Sequence, residues 1–365
     1  MKTIAFYLPQ FHTIPENDSW WGKGFTEWTN VKKASALFPG HRQPQVPGTL
    51  GYYDLNSDET RMAQTELAKS HGIDAFCYYH YWFEGKQLLE MPVNKMLRNK
   101  AIDMPFCICW ANETWSRAWD GQEKEILMEQ KYSDVDDVKH AKHLCEIFSD
   151  SRYLKIEGKP LFVIYRIANL PNPKHFVDAL KAEAQKCGFE DVLIMAVRNF
   201  ASNVPDEMLS QWGIHDIIDF EPNPEEFPKR SLLGKGWRWM QRQWNALARK
   251  VGLPQVNSIL RVPYNKVAEN AIALYKDFSD SHYPTVFPNW DNSPRRKAAT
   301  IIQNDNPQDF EKWVKTATKL LQKRPEQKQL LFVNAWNEWA ESAHLEPDAA
   351  TGAGFLEAFK RGIGK

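Results

Sequence analysis

Apolar and β-branched residues recur along the chain in short runs, too continuous for a strand with one wet face and too brief for a helix. Eight stand out: 3–8 (TIAFYL), 73–79 (IDAFCYY), 105–110 (PFCICW), 160–165 (PLFVIY), 192–197 (VLIMAV), 215–220 (HDIIDF), 284–288 (PTVFP) and 330–336 (LLFVNAW). Between them, apolar positions repeat at helical spacing over about 58–70, 87–99, 134–148, 174–187, 206–212, 265–278 and 308–323, with a last helix near 354–362. Asp58, Asp134 and Asp309 suit helix entries, and Gly72 and Gly188 suit exits. Strands apolar on both faces and alternating with helices imply a parallel sheet covered by helices. Eight such units fit an α/β (β/α)8 TIM barrel better than a doubly wound sheet, and neither GxGxxG after the first strand nor GxxxxGK[ST] occurs. The pattern reads as a single domain over 1–365, with long insertions at about 10–57 and 221–262 after strands 1 and 6. Loops that follow strands lie at the C-terminal mouth of such a barrel, where active sites sit.

What the sequence places at that mouth is unusually aromatic and polar. Strand 1 leads to Tyr7, Gln10, His12, Trp20, Trp21, Glu27 and Trp28; strand 2 to Tyr79, His80, Tyr81 and Trp82; strand 3 to Trp110, Asn112, Glu113, Trp115, Arg117, Trp119 and Asp120. Further on come Tyr165 with Arg166, Arg198 with Asn199, Glu221, then Trp290 and Asp291, and finally Trp336, Asn337, Glu338, Trp339 and Glu341. Ten of the 15 Trp fall at strand ends or in the first long loop, more than core packing alone requires. Flat aromatic faces beside carboxylates, amides and guanidinium groups suit a pyranose, whose C–H faces stack on rings while its hydroxyls need fixed partners. The expected sugar contacts are Tyr7, Gln10, His12, Trp28, Tyr79, His80, Trp82, Trp110, Asn112, Glu113, Tyr165, Arg198, Glu221, Trp290, Asp291, Trp336 and Asn337.

Cleaving a glycosidic bond needs a proton donor on the leaving oxygen and a second carboxylate acting on the sugar or on water. WNEWAE supplies the pair Glu338 and Glu341. A straight strand would hold them ~10 Å apart on opposite faces, whereas a helical turn brings their Cβ atoms to ~5–6 Å. Ion pairing of either to Arg166, Arg198 or Arg295 is the competing, structural role. His12 and His80 lack HxxE or HExxH spacing, so no metal is expected, and no cofactor motif is present. Asp134-Val-Asp136 superficially matches a DxD metal motif but opens a helix, where acids are favoured on their own account.

Charge narrows the partners. Lys+Arg and Asp+Glu each total 46, so no net field draws the molecule to nucleic acid. A local exception runs from Pro228 to Gln255, where Lys229, Arg230, Lys235, Arg238, Arg242, Arg249 and Lys250 meet no acid. Apolar residues there follow helical spacing. The segment reads as a docked helix with a solvated basic face or as a weak contact for an anionic glycan, a lipid-linked sugar or a membrane surface. The five Cys form no CxxC pair and read as reduced core residues. Without a signal-peptide pattern or an apolar run near ~18 residues, the expected location is cytoplasmic.

Several segments together resemble the WbsX-type, glycoside hydrolase family 99-like proteins: IAFYLPQFH followed by WWGKGFTEW (3–28), CYYHYWF (77–83), WANETWSRAWDG (110–121), WDNSPR (290–295) and WNEWAESAHLEP (336–347). The last is also similar to the catalytic segment of family 99 endo-α-mannosidases, where NEWHEG is typical. The resemblance implies a (β/α)8 hydrolase that retains configuration at α-mannoside-type linkages of an oligosaccharide or polysaccharide. It gives Glu338 the task of deprotonating the sugar 2-OH, forming a 1,2-anhydro intermediate, and Glu341 that of general acid/base. Ala340 stands where His is usual and Ser342 where Gly is usual. Two other readings accompany it: a glycosyltransferase or transglycosylase of O-antigen or capsule assembly, and a noncatalytic glycan-binding protein.

Overall fold

The computed structural model describes residues 1–117, 122–228, 236, 240, 243–245, 247–248, 259–296 and 298–365. Eight parallel strands form the centre: β1 (Lys2–Tyr7), β2 (Ala75–Phe83), β3 (Phe106–Trp110), β4 (Lys159–Ile164), β5 (Leu193–Arg198), β6 (Asp216–Asp219), β7 (His282–Val286) and β8 (Leu330–Val333). Each pairs with the next, and β1 pairs with both β2 (Ile4 opposite Ala75) and β8 (Thr3 opposite Leu331), which closes the barrel. The helices that follow them are α1 (Asp58–Ser70), α2 (Met91–Arg98), α3 (Asp134–Phe148), α4 (Pro173–Lys186), α5 (Asp206–Gln211), α6 (Tyr264–Leu274), α7 (Pro307–Leu321) and α8 (Gly354–Gly362). The protein is therefore a (β/α)8 TIM barrel.

Each helix forms for local reasons that the sequence carries. In α7, Pro307 occupies the first turn, where no N–H is required, while Phe310, Trp313, Val314, Ala317 and Leu321 bury one face. Its entry is capped by Asn306, whose Oδ1 accepts from Asp309 N at 2.8 Å. The same displacement applies to the other two expected entries. Ser57 and Ser133 accept from Thr60 N and Asp136 N, and the acids Asp58 and Asp134 lie inside the first turn. A Ser one residue before the acid, or an Asn three before it, reaches the free N–H groups, whereas the acids act on the helix dipole. Gly72 (φ 86°) and Gly188 (φ 87°) take the left-handed conformation at exits. At Gly362 a Cβ would lie 2.7 Å from Val314, so only glycine lets α8 approach α7 this closely.

Strand periodicity sorts the side chains into two sets. Phe6 packs against Tyr79, Phe220 and Phe332, which come from strands on different sides of the barrel, so these rings fill its interior. Their immediate neighbours, Tyr7, Tyr78 and His80, point to the helix layer, where Tyr7 donates to Gln64 of α1 at 2.7 Å. Cys77, Cys107, Cys109 and Cys145 are buried and free, as expected, but Cys187 is exposed because it caps the solvent end of α4.

The connection from β1 to α1 carries two short helices, Pro15–Trp21 and Glu27–Lys33. Connections after β3, β7 and β8 are also long, beyond the two expected from the sequence. They hold the hairpin Trp115–Arg117 with Gln122–Met128, the strand Thr300–Gln303 paired with Leu260–Pro263, and the short turn elements of 337–344. Polar loops without helical or strand period give no sequence signal for such small pairings. The cations of 229–250 lie outside the described residues. Among the described residues no helix is long and apolar enough to cross a membrane.

Candidate active site

A cleft of ≈360 Å³ opens at the C-terminal mouth, within the range of small-molecule sites. Its walls include Gln10, Trp21, Tyr79, Tyr81, Glu113, Trp115, Tyr165, Phe220, Trp290 and Arg295, with Glu338 and Glu341 on one side. Glu338 ends the two-residue strand Asn337–Glu338, and Glu341 ends the one-turn 3-10 helix Trp339–Glu341 that follows. The turn brings the two carboxylates to one side, as three-residue spacing in a helical turn requires.

One guanidinium spans both, so the ion pairing to Arg295 named above as the competing, structural role is present. Arg295 donates through Nη2 to Glu338 at 3.1 Å and through Nη1 lies 3.0 Å from Glu341, while its Nε donates to Glu27 at 2.9 Å. Glu338 is 6% exposed, and this burial pushes its carboxyl up to about 8, against the opposing pull of Arg295 and reinforced by the negative charges of Glu341 and Glu27. The resemblance asks for an ionised Glu338, whereas its burial favours the protonated form.

Ser342 terminates the turn in the left-handed conformation (φ 55°). Its hydroxyl accepts from Gln43 at 3.1 Å and from Gln45 at 3.3 Å, so the first long connection pins the carboxylate-bearing turn from behind. Asp291 belongs to the same support. Its carboxylate accepts from Gln43 at 2.7 Å, pairs with His41 at 2.7 Å, and its N–H donates to the Glu341 carbonyl at 2.7 Å.

Of the residues expected to touch sugar, Gln10, Tyr79, Glu113, Tyr165 and Trp290 line the cleft. Tyr165 packs edge-on against Tyr79 and Phe220, and Arg166 ties Glu113 down at 2.8 Å. Others brace the mouth from outside it. Asn112 bonds both the N–H and the carbonyl of Arg166 at 2.9 Å, joining the ends of β3 and β4. Asn337 does the same for Leu8, at 2.7 and 3.1 Å. Glu221 accepts from Asn223 N, and Arg198 pairs with Asp206 beside a separate surface pocket.

A third group faces the helices or the packed loops. Trp82 donates to Asp136 of α3 and stacks on His140, Trp110 meets His140 and Phe176, and His80 Nε2 lies 3.1 Å from His140 Nε2. Trp336 packs on Phe76; Trp28 donates to the Tyr53 carbonyl and packs on Phe11 and Trp339. Burial pulls His12 down to about 4 and His80 to about 3, which keeps both neutral. For the residues on strands the physical reason is parity: Tyr79 and Tyr81 share one face of β2, whereas His80 and Trp82 share the other. Parity would also have found Tyr81, whose hydroxyl accepts from Gln10 at 3.0 Å. Trp119 lies outside the described residues; of the other nine mouth tryptophans, Trp21, Trp115 and Trp290 line the cleft.

Among the described residues, one acidic and histidine cluster has metal-ligand spacing: Asp134, Asp137 and His175 at the start of α3 and α4. It lies apart from the cleft walls, and His175 is paired with Asp137 at 2.8 Å.

The family model described as glycosyltransferase WbsX matches residues 3–359. A protein from Xanthomonas campestris pv. campestris, named uncharacterized protein WxcX, is 36% identical over 366 residues, covering 99% of this chain and 49% of the relative. The chain thus spans about half the length of the curated relatives it matches. Among solved structures, an endo-alpha-mannosidase of family 99 from Bacteroides thetaiotaomicron superposes with a TM-score of 0.58 at 13% identity, covering 99% of this chain and 96% of that one. A structure titled glycoside hydrolase-like protein gives 0.59 at 12% identity, covering 99% and 93%. These likenesses show a shared fold.

Proposed function

The chain belongs to the glycosyltransferase WbsX family, and from the geometry of its cleft we propose that it is a carbohydrate-active enzyme that cleaves α-mannoside-like linkages of a polysaccharide with retention. The observation that carries this reading is the pair Glu338 and Glu341 on adjacent nitrogens of Arg295 at the wall of an aromatic cleft. Such bridging favours the short carboxyl separation of retaining enzymes, ~5–5.5 Å, over the ~6.5–9.5 Å that admits a water in inverting ones. Tyr79, Tyr165 and Trp290 offer ring faces to the sugar, and Gln10 and Glu113 offer hydrogen-bond partners.

In this reading Glu338 acts as base toward the 2-OH of the sugar. A carboxylate with its pKa raised to about 8 is a stronger base than an ordinary one once ionised, which suits a weakly acidic hydroxyl. Loss of that proton lets the 2-oxygen attack the anomeric carbon, while Glu341 protonates the leaving oxygen; water then opens the 1,2-anhydro ring with the roles reversed. The raised Glu338 also favours a second reading, in which Glu338 is the acid and Glu341 the nucleophile.

The test uses α-linked manno-oligosaccharides and bacterial surface polysaccharides, scoring new reducing ends with and without an added acceptor sugar. Hydrolysis predicts new reducing ends without acceptor; products formed only with acceptor, or nucleotide release from sugar nucleotides, sink it in favour of transfer. A good leaving group restores turnover to the variant lacking the acid. Restoration in Glu341→Gln supports the first assignment of roles, and restoration in Glu338→Gln reverses it.

A further inference from the structure

Three carboxylates converge on one cation at the cleft wall, although two suffice for the chemistry. The third is Glu27, the first residue of the short helix Glu27–Lys33 in the β1–α1 connection. It is 0% exposed. Its Oε1 accepts from Arg295 Nε at 2.9 Å and from Asn30 at 3.4 Å, and its Oε2 has no hydrogen-bond partner. Its backbone N–H donates to the carbonyl of Gln10, a cleft residue. A purely structural ion pair would need one acid for this guanidinium. Three acids around one buried cation leave excess negative charge, a costly arrangement of the kind that clusters at functional sites.

We propose that Glu27 and Arg295 form the positioning pair of the Glu338/Glu341 couple: Glu27 anchors Nε, so both Nη groups face the couple, and its charge limits how far Arg295 draws the proton off Glu338. The proposal rests on the reading that Glu338 and Glu341 are the reacting carboxylates. Glu27 is not itself part of the cleft lining; it acts on the couple through Arg295 and through its charge. Other charged or titratable groups facing Glu338 are Glu341 on its own turn, Arg295 from the β7–α7 connection, and the phenols of Tyr79 and Tyr81 from β2. Neither phenol is ionised near neutrality, because burial raises both. Among the described residues the charges closest to the couple are therefore Arg295 and the three glutamates, with Arg296 also on the cleft wall.

The test reads the proton directly and needs no substrate. The full chain is labelled with 13C at the glutamate carboxyl, the Glu338 signal is assigned by its loss in Glu338→Gln, and pH is varied with near-UV circular dichroism as a check on folding. Glu27→Gln keeps volume and an acceptor for Nε but removes the charge. The Glu338 midpoint should fall by about one pH unit, a tenfold change in the protonation equilibrium. Arg295→Lys keeps the charge but cannot serve three carboxylates, and the midpoint should rise. A folded Glu27→Gln protein, or a folded Arg295→Lys protein, with the wild-type midpoint overturns the proposal. If the midpoints move as expected while no glycan is cleaved, the positioning pair stands and the mannosidase reading fails.

Discussion

Removing a single indole N–H tests how the carboxylate-bearing turn is held. Trp339, between the two candidate catalytic glutamates in sequence, points away from the cleft: it stacks on His344 at 3.7 Å and donates to Glu346 Oε2 at 2.6 Å. Glu346 is 2% exposed and also accepts from Tyr53 at 2.9 Å and from Gln64 at 2.7 Å. Burial pushes its carboxyl up to about 7, with these donors opposing the rise. A carboxyl raised above its unfolded value contributes stability that is fully present below ~4.5 and is lost as pH climbs through about 7. Trp339→Phe keeps a ring on His344 but deletes a donor that favours the anion, so the folded pKa rises further. Each unit of that rise adds about 1.4 kcal/mol to the loss above it. The missing ring atoms cost a further ~1–2 kcal/mol at any pH. The expected destabilisation is therefore about 2–3 kcal/mol at pH 5 and about 3–4 kcal/mol at pH 9, taking the bond as ~1 kcal/mol to the neutral acid and ~2 to the anion. Urea unfolding followed by far-UV circular dichroism at both pH values measures it. A penalty equal at the two pH values, or larger at pH 5, refutes the role given to this hydrogen bond.

Other expectations follow from the same geometry. Trp290→Ala, at the cleft, should lower kcat/KM on a cleaved glycan at least tenfold with little change in urea midpoint, whereas Trp110→Ala, in the helix layer, should cost about 3–5 kcal/mol of stability. If Trp110→Ala were the more stable of the two, the two-faced assignment of the strand ends would fall. Asn337→Ala leaves the Leu8 N–H and carbonyl without their side-chain partners and should cost about 1–3 kcal/mol, read as a lowered denaturant midpoint. With Glu338 as base, kcat/KM should rise with pH through about 8, the value of its carboxyl in the free enzyme; a falling limb there supports the exchanged roles instead.

The strands, most helix bounds and the position of the mouth were legible in sequence because each depends on neighbours within one element. Continuous apolar runs such as TIAFYL mark strands buried on both faces, and α3 and α8 have the bounds their periodicity predicts. The WNEWAE carboxylates were equally legible, since a pair three residues apart needs only a turn to come together. The tryptophans were harder. A sequence shows that Trp82 and Trp110 lie near strand ends, but whether a ring meets the cleft or the helices depends on a one-residue parity, and aromatic residues satisfy either side.

By itself, then, the sequence determined a barrel of eight strand–helix units, a mouth rich in rings and polar groups, and two carboxylates at the end of the last strand, all consequences of local period and spacing. Only the tertiary structure decided what surrounds those carboxylates. Arg295 meets Glu27 across 268 residues of chain and Glu338 across 43, contacts that barrel closure and long loops create and no local pattern encodes. The tertiary structure also reassigned Trp336 and Trp339 from the cleft to its support, because backbone direction at the turn sends their rings behind it while Glu338 and Glu341 line the cleft.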